Sequence, residues 1–144
     1  MIVAEVLRRK GSQIHKVRDF DTVADAVRAL TAARIGVLVV VNRRGDLAGM
    51  FSERDVVRAL DREGPAALSH PVERYMTARV TTCKPSDRID HVLSVMTVSH
   101  IRHVPVMSDK RLIGLVSIGD LVKWRLDEKE QETNVLLDIT RSHI

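Results

Sequence analysis

Two serine–aspartate pairs carry whatever chemistry this chain has. Ser52 and Asp55 stand in GDLAGMFSERDVVRAL, which begins at Gly45; Ser117 and Asp120 stand in KRLIGLVSIGDLVKW, which begins at Lys110. Both runs read glycine, two apolar residues, serine, two variable residues, aspartate and an apolar pair, with Gly49 and Gly114 leading at a constant offset. A repeat of this size is one structural unit copied, and the copies are read together. Each serine sits where a strand gives way to a helix, so its oxygen can accept from first-turn N–H groups while the carboxylate lies near the positive helix end. That is a capping box. The same geometry serves a ligand: free helix-mouth N–H groups and a hydroxyl favour a phosphate, and an aspartate one turn in accepts from a ribose diol. The two readings are compatible, because the cap residues and the ligand residues are the same. Gly49 and Gly114 leave room at the strand for a flat ring or a close backbone.

Hydrophobic periodicity supplies the elements that position these pairs. Ile2, Val3, Val6 and Leu7 form a helical stripe that Gly11-Ser12 ends. Residues 15–20 read as a short strand, and Asp21 or Thr22 caps a helix burying Val23, Ala26, Val27 and Leu30. Gly36–Val41 is apolar on both faces and β-branched, a fully buried strand. The turn at 42–45 leads to a return strand over 47–51, and a helix runs from Ser52 to about Asp61 before Gly64-Pro65. The second copy gives a strand at Val80–Cys83, a helix start at Pro85-Ser86-Asp87, and a buried stripe of Ile89, Val92, Leu93 and Met96. Strands at 103–107 and 111–116 and a helix from Ser117 complete it, with the hairpin turn one residue shorter. Each unit is β-α-β-β-α and too small to bury its own face, so two must pack together. The fold class is α/β (α+β), with repeats at 10–64 and 72–126, an N-terminal helix, and a C-terminal helical tail at 127–144. In that tail DEKEQE is solvated, while Val135, Leu136 and Ile139 are expected to pack on the N-terminal helix or another subunit.

Composition bounds the function class. The chain has 144 residues, 44% hydrophobic but only 3% aromatic, so its interior is built from aliphatic side chains. No stretch approaches the ~18 apolar residues of a membrane span, and the N-terminus lacks a signal-peptide layout. Cys83 is the single cysteine, which excludes intrachain disulfides and suits a reducing, cytoplasmic setting. The net charge of +4 is spread evenly: 12 Lys/Arg face 9 Asp/Glu in the first half, 11 face 10 in the second. With no aromatics among the basic residues, nucleic acid is disfavoured and a small phosphorylated ligand suits better.

The doubled apolar-Gly-x-x-Ser-x-x-Asp pattern, together with IRHVPV at 101–106, resembles a tandem pair of CBS domains, a Bateman module. The resemblance covers roughly residues 10–126 and implies two repeats in pseudo-two-fold symmetry, with clefts between them that take adenosyl compounds. AMP is the foremost expected ligand; ADP, ATP, NAD(H) and S-adenosylmethionine are the others. In one cleft Asp120 and Ser117 would serve ribose and phosphate, followed by Ile118 and Gly119, with Arg102, His103, Val104 and Pro105 along the wall. In the other, Asp55 and Ser52 would play those parts beside Glu53 and Arg54, with Gly36, Val37 and Leu38 as wall. The first repeat departs from the pattern: Val39 stands where Pro105 stands, and Gly36-Val37 replaces Arg102-His103. Its phosphate charge would be met by Arg54, or by Arg102 and His103 reaching across the interface. Lys10, Gly11, Met76 and Thr82 are further candidates at the cleft edges.

The bland alternatives stand beside these. His103 fits a strand end as well as a phosphate contact, and Lys10-Gly11 is explained by a helix stop. The other histidines (His15, His70, His91, His100, His143) lack metal-ligand spacing, so no metal is expected. Cys83 reads as a buried inert thiol and Trp124 as a core or interface anchor. No catalytic set is present. The expectation is therefore a free-standing sensor, not an enzyme, that forms a homodimer and signals to an unidentified regulated protein. An adaptor without a physiological nucleotide is the alternative.

Overall fold

The structure, a computed structural model, describes residues 1–142; His143 and Ile144, the end of the expected tail, lie outside the described residues. The chain runs α1 (Val3–Lys10), β1 (Lys16–Arg18), α2 (Val23–Ala33), β2 (Val37–Val41), β3 (Leu47–Ser52), α3 (Glu53–Glu63), two 3-10 turns (Gly64–Ser69, Val72–Arg74), α4 (Ile89–Ser99), β4 (His103–Ser108), β5 (Arg111–Ser117) and α5 (Ile118–Ser142). The architecture is mixed α/β, as expected. In the first repeat β1 pairs parallel with β2 and β2 antiparallel with β3; in the second, β4 pairs antiparallel with β5. The hairpin turns follow their local chemistry. Asn42 Oδ1 accepts the N–H groups of Arg44 and Asp46, with Gly45 at φ +84°. Asp109 and Lys110, both at positive φ, make a two-residue loop suited to the twist of the strands.

One strand is corrected. Val80–Cys83 is not a strand; only Cys83 pairs, in a parallel bridge to Val106, donating to Pro105 O at 3.0 Å and accepting from Met107 N at 2.8 Å. Pro85-Ser86-Asp87 is a turn rather than the first helical residues: Asp87 Oδ2 accepts the Lys84 N–H at 2.8 Å, and α4 begins at Ile89.

Each repeat has its own apolar core, and each core is completed by a segment from the other side of the chain's order. Val3 and Val6 of α1 are buried with Ile89, Val92, Met96, Val104, Val116 and Leu121 of the second repeat. Val72, with Tyr75 and Met76, closes the first repeat's core around Leu30, Leu38 and Phe51. Backbone hydrogen bonds repeat the exchange. Val3 N donates to Asp87 O at 2.9 Å, and Val72 N donates to Asp21 O at 2.7 Å. The N-terminal helix is thus half of a reciprocal swap that ties the two repeats together. The glycines of the repeated motif serve this swap. A Cβ on Gly49 would lie 2.7 Å from both Met76 Sδ and the Thr77 carbonyl oxygen, and one on Gly114 would lie 2.7 Å from Leu7 Cδ2. They admit a crossing arm, not a ring.

α5 is one unbroken helix of 25 residues. Val135 and Leu136 are 57% and 64% exposed and Ile139 is exposed too, so this apolar stripe does not pack on α1. Trp124 is partly buried against the second core, with the Arg9 guanidinium 3.9 Å from its ring centroid. Its Nε1 is the buried side-chain donor left without a partner among the described residues. No helix among them is long and apolar enough to cross a membrane.

Candidate functional site

Both serine–aspartate pairs form at strand-to-helix junctions. Ser52 caps α3: its Oγ accepts from Asp55 N at 3.4 Å, while Asp55 Oδ2 accepts from Ser52 N at 2.8 Å and Ser52 Oγ at 3.1 Å. Ser117 does the same for α5, with Asp120 N to Ser117 Oγ and Ser117 N to Asp120 Oδ2 both at 3.0 Å. The strand wall uses a further donor in each mouth: Glu53 N donates to Gly36 O at 3.0 Å, and Ile118 N to Arg102 O at 2.8 Å. Two of the first-turn N–H groups expected to be free are therefore spoken for. An anion here must be met chiefly by side chains.

Those side chains are present. A cavity of about 660 Å³ opens between the repeats, lined in the first by Gly36, Val37, Ser52, Glu53, Arg54 and Asp55. Arg102 and His103 enter it from the second repeat. Both sources of positive charge weighed for this cleft, Arg54 and the Arg102-His103 pair, thus meet in one place. Met50, Arg58, Thr77, Arg79, Val80, Thr81, His100 and Ile101 complete the lining. Arg54, Arg58, Arg79 and Arg102 give the cavity four guanidinium groups against the carboxylates of Glu53 and Asp55. Asp55 is the buried charged residue of the described chain, and its nearest cation, Arg58, stands 4.0 Å away. Its carboxylate keeps acceptor capacity for a diol.

The other expected contacts fall elsewhere. Leu38, Val104 and Pro105 are buried in β2 and β4 and do not line this cavity. Met76 fills the first core, Thr82 is exposed beyond the lining, and Gly11, at φ +90°, caps α1. Ile118 packs on the second core, and Gly119 follows it in the first turn of α5. A second, smaller cavity of about 310 Å³ lies at Asp120, lined by Val6, Arg9, Lys10, Lys123, Trp124 and Asp127. Here Lys10 reaches Asp120 in a short ion pair. Burial works to raise the Asp120 pKa, but the Lys10 and Ser117 hydrogen bonds outweigh it and hold it below the usual value. Neighbouring His103 is held low, first by burial and then by Lys10, with Asp120 opposing. Cys83 is pushed up to about 12 by burial and then by Asp87, so its thiol is inert. Among the described residues no three His, Cys, Asp or Glu side chains gather as metal ligands.

The comparisons with known proteins decide the family. The CBS domain model matches residues 3–62 and again 72–127. The chain belongs to the CBS domain family. It is 39% identical over 139 residues to the mitochondrial CBS domain-containing protein CBSX3 of Arabidopsis thaliana, covering 90% of this chain and 67% of that one. The crystal structure of the CBS-domain containing protein ATU1752 from Agrobacterium tumefaciens superposes with a TM-score of 0.82 at 38% identity, over 87% of this chain and 99% of the other. The CBS domain protein PAE2072 from Pyrobaculum aerophilum, solved in complex with AMP, shares the fold with a TM-score of 0.74 at 24% identity, over 83% and 89% of the two chains. The first matched region begins at residue 3 and so spans α1 as well as the first serine–aspartate motif.

Proposed function

We propose that this CBS pair is a nucleotide-responsive regulatory module rather than an enzyme, with the Asp55 cavity as its principal site. One observation carries the reading: a single cavity joins the capped mouth of α3 to Arg102 and His103 of the other repeat. The ribose diol lies on Asp55, the phosphate among Arg54, Arg79 and Arg102, and the base against Gly36 and Val37. A ligand held by both repeats favours the arrangement in which they are drawn together, and so shifts populations toward it. A partner protein reads the changed surface. AMP is the ligand put first, consistent with the AMP complex of the Pyrobaculum protein. ADP, ATP, NAD(H) and S-adenosylmethionine are its competitors.

Melting scans against these compounds test the proposal. AMP at a hundredfold excess over its dissociation constant should stabilise the fold by ~2.7 kcal/mol. No shift with any of the compounds would leave the interaction adaptor as the better description.

A second copy is the proposed cover for the helical faces. Val57 is 66% and Val98 79% exposed, with Leu60, Val122 and Leu126 also open, and an apolar groove lies between α2 and α3 along Val27, Leu30, Ile35 and Val56. Faces of this kind mark interfaces. Light scattering should report a dimer; a monomer at micromolar concentration would contradict it.

A further inference from the structure

The two aspartates differ in what holds them, and the difference comes from the swapped arms. Val3, Leu7 and Lys10 of the first arm stand at the same spacing as Val72, Met76 and Arg79 of the second. Lys10 and Arg79 are therefore counterparts. Arg79 lines the Asp55 cavity and makes no ion pair among the described residues. Lys10 instead bonds directly to Asp120, on the oxygen that also accepts from Ser117 N.

That oxygen belongs to the carboxylate that would receive a ribose in this cleft. Lys10 is the last residue of α1 and its side chain is 31% exposed, so its ammonium stands at the mouth of the cavity. Once displaced it finds one other carboxylate in the lining, Asp127. Asp127 is already held by Arg9 at 3.2 Å, and Arg9 also covers the Trp124 ring. The remaining charged side chain of the lining, Lys123, is a cation.

We propose that Lys10 makes the Asp120 cleft selective for phosphorylated nucleosides over uncharged ones. The inference rests on the reading of these clefts as nucleotide sites. A neutral nucleoside must break the Lys10–Asp120 pair and leave the ammonium beside Arg9, Lys123 and an Asp127 that is already paired. A phosphate gives Lys10 a new partner as the ribose takes Asp120. The exchange is one ion pair for another, and only an anionic ligand completes it. The Asp55 cleft, with no cation on its aspartate nearer than 4.0 Å, has no such requirement.

Trp124 is the chain's only tryptophan and lines the Asp120 cavity but not the Asp55 one, so its fluorescence reports this cleft. The experiment titrates wild type, Lys10→Met and Lys10→Arg with AMP and with adenosine. Wild type should prefer AMP by tenfold or more. Lys10→Met should lose about tenfold in AMP affinity, the scale of one charge-assisted contact, while adenosine binds several-fold more tightly. Lys10→Arg should keep the preference. Equal loss for both ligands in Lys10→Met, or an unchanged ratio while AMP still binds, overturns the role of Lys10 and leaves the nucleotide reading standing. If AMP moves neither the fluorescence nor the melting temperature of wild type, both fall together.

Discussion

Asp55→Asn should weaken AMP binding by about a hundredfold or more while leaving the chain folded. The buried Asp55 carboxylate is offered to the ribose as an acceptor, and two hydroxyls donating to it make charge-assisted bonds of roughly 1.5–3 kcal/mol each. Asparagine keeps the size and one acceptor oxygen but replaces the other with a donor that faces the diol wrongly. The same side chain also accepts from Ser52, so a weakening of the α3 cap by about 1 kcal/mol accompanies the change. Circular dichroism at 25 °C separates the two effects. A folded protein that has lost AMP binding at the Asp55 cavity is the expected result; unchanged affinity there would remove Asp55 from the site.

Phe51→Ala should cost about 3–5 kcal/mol and lower the melting temperature by roughly 10–20 °C. Phe51 is fully buried in the first core, on the residue before Ser52, so the vacated volume lies directly behind the binding motif. The arm swap adds a second expectation. Val3 and Val6 lie in the second core and Val72 in the first, so damage to one core loosens a segment that leads straight into the other repeat. The two repeats should unfold as one unit. Trp124 fluorescence, which watches the second repeat, and far-UV circular dichroism, which watches the whole chain, should report coincident transitions. Separate transitions would show that the swap does not couple the cores.

Much of this was legible in the residues because the signals were local. Ser52 and Ser117 announce strand-to-helix junctions by type and position, and the run Gly36–Val41 suggests a buried strand, which forms over Val37–Val41 with Val37 half-buried at the cavity. The shorter second turn follows from Asp109-Lys110. The arm exchange was not legible. The stripe of Val3, Val6 and Leu7 says that α1 is buried on one face but not which core receives it, and both cores are aliphatic. For the same reason the motif glycines were open to a ring or to a crossing arm. Val80–Cys83 carries β-branched residues yet pairs only at Cys83, because no strand neighbours the rest.

The site divides in the same way. Asp55 and Gly36-Val37 are contiguous in sequence with their elements, and the structure brings them to one cavity, while Asp120 lies at the smaller one. Leu38, Val104 and Pro105 are the neighbours of lining residues but face the interior. Arg58 lies one turn beyond Asp55 on α3, which helical spacing alone could have placed on the same face. Arg79 needed the second arm to be recognised as a copy of the first, with Lys10 as its counterpart. The Lys10–Asp120 pair depends on the swap itself and had no local signal.

Calorimetric titration of AMP into the dialysed 144-residue chain tests the central claim most directly. The account predicts a saturable heat whose Asp55-cavity component is lost in Asp55→Asn and reduced when Arg102 is replaced by alanine, since Arg102 brings the second repeat to a ligand whose ribose lies on Asp55 of the first. A flat titration at millimolar AMP, or a heat indifferent to both substitutions, would contradict it.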